Sequence, residues 1–122
     1  MAILVVEDEA PILVLVESIL QQAGYETLTA ATLAEAQAII HSDQPVDVVF
    51  TDINLGEDHE GGLQVGQIVR QARAKTPVVY TSGRGLTDGM KSLFVEQSLF
   101  LAKPYTNEQV VEAVASLLRE QS

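Results

Sequence analysis

Cysteine is absent from the 122 residues, which removes both a disulfide framework and a thiolate metal site. Basic residues are scarce. Seven Lys and Arg stand against seventeen Asp and Glu, for a net charge of −10 and a pI of about 4.4. The seven are scattered and form no stripe, so nucleic acid, whose phosphates need clustered Lys and Arg, is not an expected partner. No apolar run approaches the roughly 20 residues of a membrane-spanning helix, so no membrane role is expected. The N-terminus passes from Ile3-Leu4-Val5-Val6 straight into Glu7-Asp8-Glu9 and carries no leader pattern. Repeats, linkers and low-complexity tracts are missing too. What these absences leave is a soluble, cytoplasmic protein with a single domain over residues 1–122.

The apolar content, 47%, is enough for a real core, and its pattern is rhythmic. Short runs at 3–6, 26–29, 48–50, 77–83 and 99–102 read as strands, too short for helices and mostly rich in β-branched residues. Helical stretches separate them. The first, 11–23, opens on Pro11 and stops at Gly24. The second, to about residue 41, follows the capping box Thr32-Leu33-Ala34-Glu35. The third, 63–74, has Val65, Ile68, Val69 and Ala72 at helical spacing. The fourth, 87–95, keeps Leu86, Met90, Leu93 and Phe94 on one face. It also carries Gly89, which costs on the order of 1 kcal/mol relative to Ala, so it is expected to be the least stable. The last follows the capping box Thr106-Asn107-Glu108-Gln109 and buries Val110, Val111, Val114, Leu117 and Leu118.

Five strands alternating with five helices predict an α/β fold: a doubly wound, five-stranded parallel sheet of flavodoxin-like order 2-1-3-4-5. On the first helix, a core stripe of Ile12, Leu15, Val16, Ile19 and Leu20 turns Leu13 and Val14 outward. Leu13 and Val14, with the adjoining Ile12, are a candidate face for a kinase contact or a homodimer, although singly exposed apolar residues are common.

In such a sheet the carboxyl ends of the strands form the ligand crevice. Four of the five carry polar groups: Glu7 and Asp8, Asp52, Thr81 and Ser82, and Lys103. Any one alone has an ordinary reading as a cap, a turn residue or a helix boundary. Together they have a chemistry. Packed carboxylates raise one another's pKa, and a hard divalent cation such as magnesium relieves the repulsion through oxygen ligands. Lys103 supplies a point charge suited to a phosphoryl oxygen. Cation, lysine, hydroxyl and one open carboxylate make a site for phosphoryl transfer to that carboxylate. His59, in the acid-rich loop 57–60, has no second His or Cys nearby and reads as solvated rather than metal-binding.

This set resembles the receiver domain of two-component response regulators, over essentially the whole chain. The resemblance rests on the pair Glu7-Asp8, the acceptor Asp52, the hydroxyl Ser82 before Gly83, the pair Lys103-Pro104, and the aromatic Phe100 three residues before the lysine. Position five after Pro77 selects Ser82 over Thr81. The resemblance implies that Asp52 takes a phosphoryl group from a phosphohistidine on a sensor histidine kinase or a histidine phosphotransfer protein. Magnesium would be held by Glu7, Asp8, Asp52 and the backbone carbonyl of Asn54. Ser82 and Lys103 would grip the phosphoryl oxygens, Asn54 and Arg84 would tune its lifetime, and Ser82 with Phe100 would switch the face of the fourth helix, fifth strand and fifth helix towards a protein target. The implied protein is a stand-alone receiver with no output domain, catalysing only its own phosphorylation and dephosphorylation. One departure stands out: the loop after Asp52 lacks the usual proline and carries the insertion 57–60. Three rivals compete. A haloacid-dehalogenase-like hydrolase needs a second acid where Asn54 stands. A flavodoxin needs a phosphate-cradling loop where the first strand ends in acid. A receiver-like module that is never phosphorylated has no need of the intact acid set.

Overall fold

The computed structural model describes residues 1–56 and 60–120. Strands β1 (Ala2–Val6), β2 (Glu26–Ala30), β3 (Val48–Asp52), β4 (Val78–Ser82) and β5 (Ser98–Ala102) alternate with helices α1 (Ala10–Gln22), α2 (Leu33–Ile40), α3 (Gly61–Ala72), α4 (Asp88–Lys91) and α5 (Asn107–Glu120). The strands pair in parallel, in the expected order β2-β1-β3-β4-β5. The three inner strands are buried along their whole length. Each opens on an unbroken apolar run because helices cover both faces, and β3 and β4 end in buried polar residues. On one face Leu4, Val6, Val49, Val78 and Tyr80 pack with Ala36, Ile40, Leu63, Val65 and Val69. On the other Ile3, Val5, Val48, Phe50 and Val79 pack with Val16, Leu20, Val110, Val114 and Leu117. Among the described residues no helix is long and apolar enough to cross a membrane.

Side chains set the helix ends. Thr32 Oγ1 accepts from the Glu35 N–H at 3.1 Å, and the Glu35 carboxylate accepts in return from the Ala31 N–H at 3.0 Å. Thr106 and Gln109 make a reciprocal box at 3.1 and 2.8 Å. Each satisfies amides that a helix start leaves without a partner. The Arg73 guanidinium donates to the carbonyls of Ile40, Ser42 and Gln44, tying the end of α3 to the chain beyond α2.

Two expectations are corrected. The fourth helix spans four residues, not 87–95. After it the chain tightens into i→i+3 bonds, Leu93 N–H to Met90 O and Phe94 N–H to Lys91 O. The cause is Tyr80. Its ring stacks on Phe94 with centroids 4.4 Å apart, and its hydroxyl accepts from the Val95 N–H at 3.2 Å. Leaving the helix docks Phe94 on a buried ring, a larger gain than one more turn of a glycine-weakened helix. On α1, Leu13 is half-buried, while Val14 and Leu15 are 61% and 53% exposed. The helix packs on α5 as well as on the sheet, and Leu13 joins the cluster that includes Tyr105 and Val111. Periodicity within one helix contains no information about that neighbour. The outward pair is thus Val14 and Leu15, with Ile12 and Leu13 partly buried.

Candidate functional site

β1 and β3 are adjacent and parallel, with Val6 opposite Thr51, so the residues that follow them emerge side by side. Glu7, Asp8 and Asp52 each bring a carboxylate oxygen within 4.8 Å of the others. Glu7 and Asp52 are buried and Asp8 is exposed. From β5, on the far side of β4, the Lys103 ammonium reaches back to Asp52 Oδ2 at 3.1 Å and Glu7 Oε2 at 3.2 Å. Each remaining oxygen accepts from a backbone amide: Asp52 Oδ1 from Asn54 at 3.3 Å, Glu7 Oε1 from Glu9 at 3.2 Å. The exposed Asp8 accepts from Gly56 through Oδ2 at 2.9 Å. Ser82, at the end of β4, accepts from the Arg84 N–H at 3.0 Å and the Asn54 carboxamide at 3.4 Å. A cleft of about 390 Å³ opens over this group, lined in part by Asp8, Asp52, Asn54, Arg84 and Lys103.

The electrostatics follow from burial. Desolvation pushes the Glu7 carboxyl up to about 7, the charge of Asp52 adds to it, and Lys103 with the Glu9 N–H pulls the other way. Burial pulls Lys103 down, but its bonds and charge contacts with Asp52 and Glu7 outweigh that and hold it above its ordinary value. One ammonium thus serves two buried carboxylates, with a third carboxylate beside them. A donor set of clustered oxygens short of positive charge fits a hard divalent cation.

Most of the expected site residues converge. Glu7, Asp8, Asp52, Asn54, Ser82, Arg84 and Lys103 are joined by the contacts above, and Ile12 lines the cleft. Phe100 is set apart. It lies opposite Tyr80 in the sheet register, half-buried, with its ring centroid 6.2 Å from that of Phe94. Val14 lies outside the cleft lining. His59 and most of the insertion, residues 57–59, lie outside the described residues, while Glu60 is the N-cap of α3.

Three contributors were not anticipated. A Cβ on Gly62 would collide with the Asp52 carbonyl, so only glycine lets α3 start against the end of β3. Tyr105 packs edge-to-face on Phe50, centroids 6.0 Å apart, and burial pushes its phenol up to about 12. Its place two residues after Lys103 was the available signal. For Gly56, which holds Asp8, the signal was the missing proline, since any other residue keeps a backbone N–H.

The model of the response regulator receiver domain family matches residues 3–115. This chain belongs to that family. Among curated relatives, the receiver is 28% identical to the phosphate regulon transcriptional regulatory protein PhoB of Pseudomonas aeruginosa, over 96% of this chain and 51% of PhoB. It is 32% identical to the nitrogen assimilation regulatory protein NtrX of Azorhizobium caulinodans, over 89% of this chain and 24% of NtrX. The chain therefore spans about half the length of PhoB and about a quarter of that of NtrX. Among solved structures, a response regulator receiver protein from Sinorhizobium medicae superposes with a TM-score of 0.91 at 33% identity, covering 100% of this chain and 97% of that one. NtrX from Brucella abortus superposes at 0.85 and 32% identity, over 98% of this chain and 27% of that one.

Proposed function

We propose that this receiver, acting as one domain over residues 1–122, takes a phosphoryl group onto Asp52 from a phosphohistidine on a sensor histidine kinase or a histidine phosphotransfer protein. The observation that carries the reading is the double contact of Lys103 with Asp52 and Glu7 beside a third carboxylate. An Asp52 oxygen attacks phosphorus, an O–P bond forms, the N–P bond breaks, and its electron pair returns to the imidazole. Asn54 N–H and Lys103 hold the Asp52 carboxylate in a fixed orientation, which saves entropy at the moment of reaction. Glu7, Asp8, Asp52 and the Asn54 backbone carbonyl would hold Mg2+, which would supply neutralising charge to the phosphoryl oxygens. Lys103 and Ser82 bind those oxygens once they arrive.

Ser82 must then leave its contacts with Asn54 and Arg84. Its movement, followed by Phe100, biases the face of α4, β5 and α5 between two packings that a protein target distinguishes. Asn54 and Arg84, which both touch Ser82, set the lifetime of the acyl phosphate. The exposed part of α1, Val14 and Leu15, is the kinase-facing or dimer-forming surface. A cytoplasmic place of action suits this chemistry.

Intact mass after incubation with acetyl phosphate and Mg2+ tests the reading. The expected result is a gain of one phosphoryl group in the wild type, absent with EDTA and absent in Asp52→Asn. If there is no gain, and beryllofluoride does not bind either, the protein is an interaction module that works without phosphorylation.

A further inference from the structure

The loop from β3 to α3 makes one contact that the reading above does not use. Gly56 donates its N–H to Asp8 Oδ2 at 2.9 Å, across 48 residues of sequence. The loop is positioned to do this. Ile53 and Leu55 on either side of Asn54 are buried in the core. The Ile53 N–H donates to the Thr81 carbonyl, and its own carbonyl accepts from Gly62. With Leu55 anchored, the chain turns at Gly56, whose φ of +61° is a left-handed conformation. Nothing lies within 4 Å of where its Cβ would be, so the conformation, not space, favours glycine here.

Asp8 differs from the other two carboxylates. It is exposed, and Lys103 contacts Glu7 and Asp52 but not Asp8. Its described hydrogen bond is the one from Gly56. An exposed aspartate is otherwise free to rotate away from its neighbours, and a backbone donor on one oxygen removes that freedom and leaves the other oxygen for a cation. We infer that Gly56 is a positioning residue of the cation site: its amide, presented by the left-handed turn, fixes the Asp8 carboxylate, so loop conformation and cation binding are linked.

This rests on the reading of Glu7, Asp8 and Asp52 as cation ligands. Donors that orient a ligating group typically change metal affinity 10- to 100-fold when removed. The linkage is reciprocal, so the cation in turn holds the loop.

The experiment is a Mg2+ titration by calorimetry without phosphodonor, on the wild type, Gly56→Asn and Gly56→Pro, with thermal melts to establish folding. Asn keeps the N–H and tolerates the left-handed region. Pro removes the N–H and fixes φ near −65°. The expected result is binding close to wild type for Asn and about 10-fold weaker or worse for Pro. In the wild type, amide exchange at Gly56, followed by NMR, slows on adding Mg2+, and this arm needs no variant to fold. Equal affinity of a folded Gly56→Pro, or a Gly56 exchange rate indifferent to bound Mg2+, overturns the inference and leaves the cation site standing. A wild type that binds no Mg2+ overturns the cation site itself, and the inference with it.

Discussion

The centre of the sheet and its β5 edge are built to different standards, and the opposite edge strand, β2, is likewise not fully buried. Around β1 and β3 every strand residue is buried, and α3 sets six of its residues into the core. Around β5 the strand is only partly buried, with Ala102 exposed, and the four residues of α4 include none that is buried. The carboxylates sit at the centre. Lys103 and Phe100 come from the β5 edge, and Ser82 stands on β4 between them. Charges that must be held against repulsion are fixed by a close-packed core, while the part expected to repack lies where few apolar contacts resist movement. Tyr80 joins the two. It is fully buried on β4, Gly66 leaves room for its ring, and it holds the α4–β5 connection by the stack on Phe94 and the bond to Val95.

Substitutions can break this contrast. Leu4→Ala, at a fully buried site, is expected to lower stability by about 2–5 kcal/mol in urea unfolding. An effect under 1 kcal/mol would mean that the β1 side is no firmer than the β5 side. The next largest effect is electrostatic. Glu7 sits at about 7 instead of its ordinary 4.5, so between those pH values the folded state holds its proton more tightly than the unfolded chain. Stability of the metal-free protein therefore falls as pH rises through that window, by as much as about 3 kcal/mol. Lys103, held above its ordinary value, stays charged throughout and adds no slope. In EDTA, Glu7→Gln is expected to be more stable than wild type at pH 8 and nearly equal at pH 4. A difference that does not change with pH would show that Glu7 is not strained by its surroundings.

A smaller effect sharpens the contrast. Tyr80→Phe keeps the ring and removes the acceptor for Val95, and is expected to cost about 1 kcal/mol, with faster amide exchange at Val95. Leu93→Ala is the weakest. With Leu93 41% exposed, its effect is expected to fall within about 0.5 kcal/mol.

The sequence carried the rhythm of the fold because each inner strand is a short apolar run bounded by turn or cap residues. It carried much of the site because parallel strands end on one edge, so that Glu7, Asp52, Ser82 and Lys103 meet by topology alone. Neighbours on other elements were not legible. The ring of Tyr80 ends α4 early, the packing of α5 draws Leu13 inward and leaves Leu15 out, and the carbonyl of Asp52 requires glycine at 62. Each is a contact between residues at least ten apart, to which propensity and periodicity are blind.

The most direct test is amide hydrogen exchange with and without beryllofluoride and Mg2+, which together stand in for the phosphoryl group on Asp52. The expected result is altered protection concentrated in residues 83–102, with 2–6 and 48–50 exchanging as slowly as before. Protection that changes evenly across all five strands, or not at all beyond the residues touching the ligand, would contradict a firm half that holds the chemistry and a loose half that reports it.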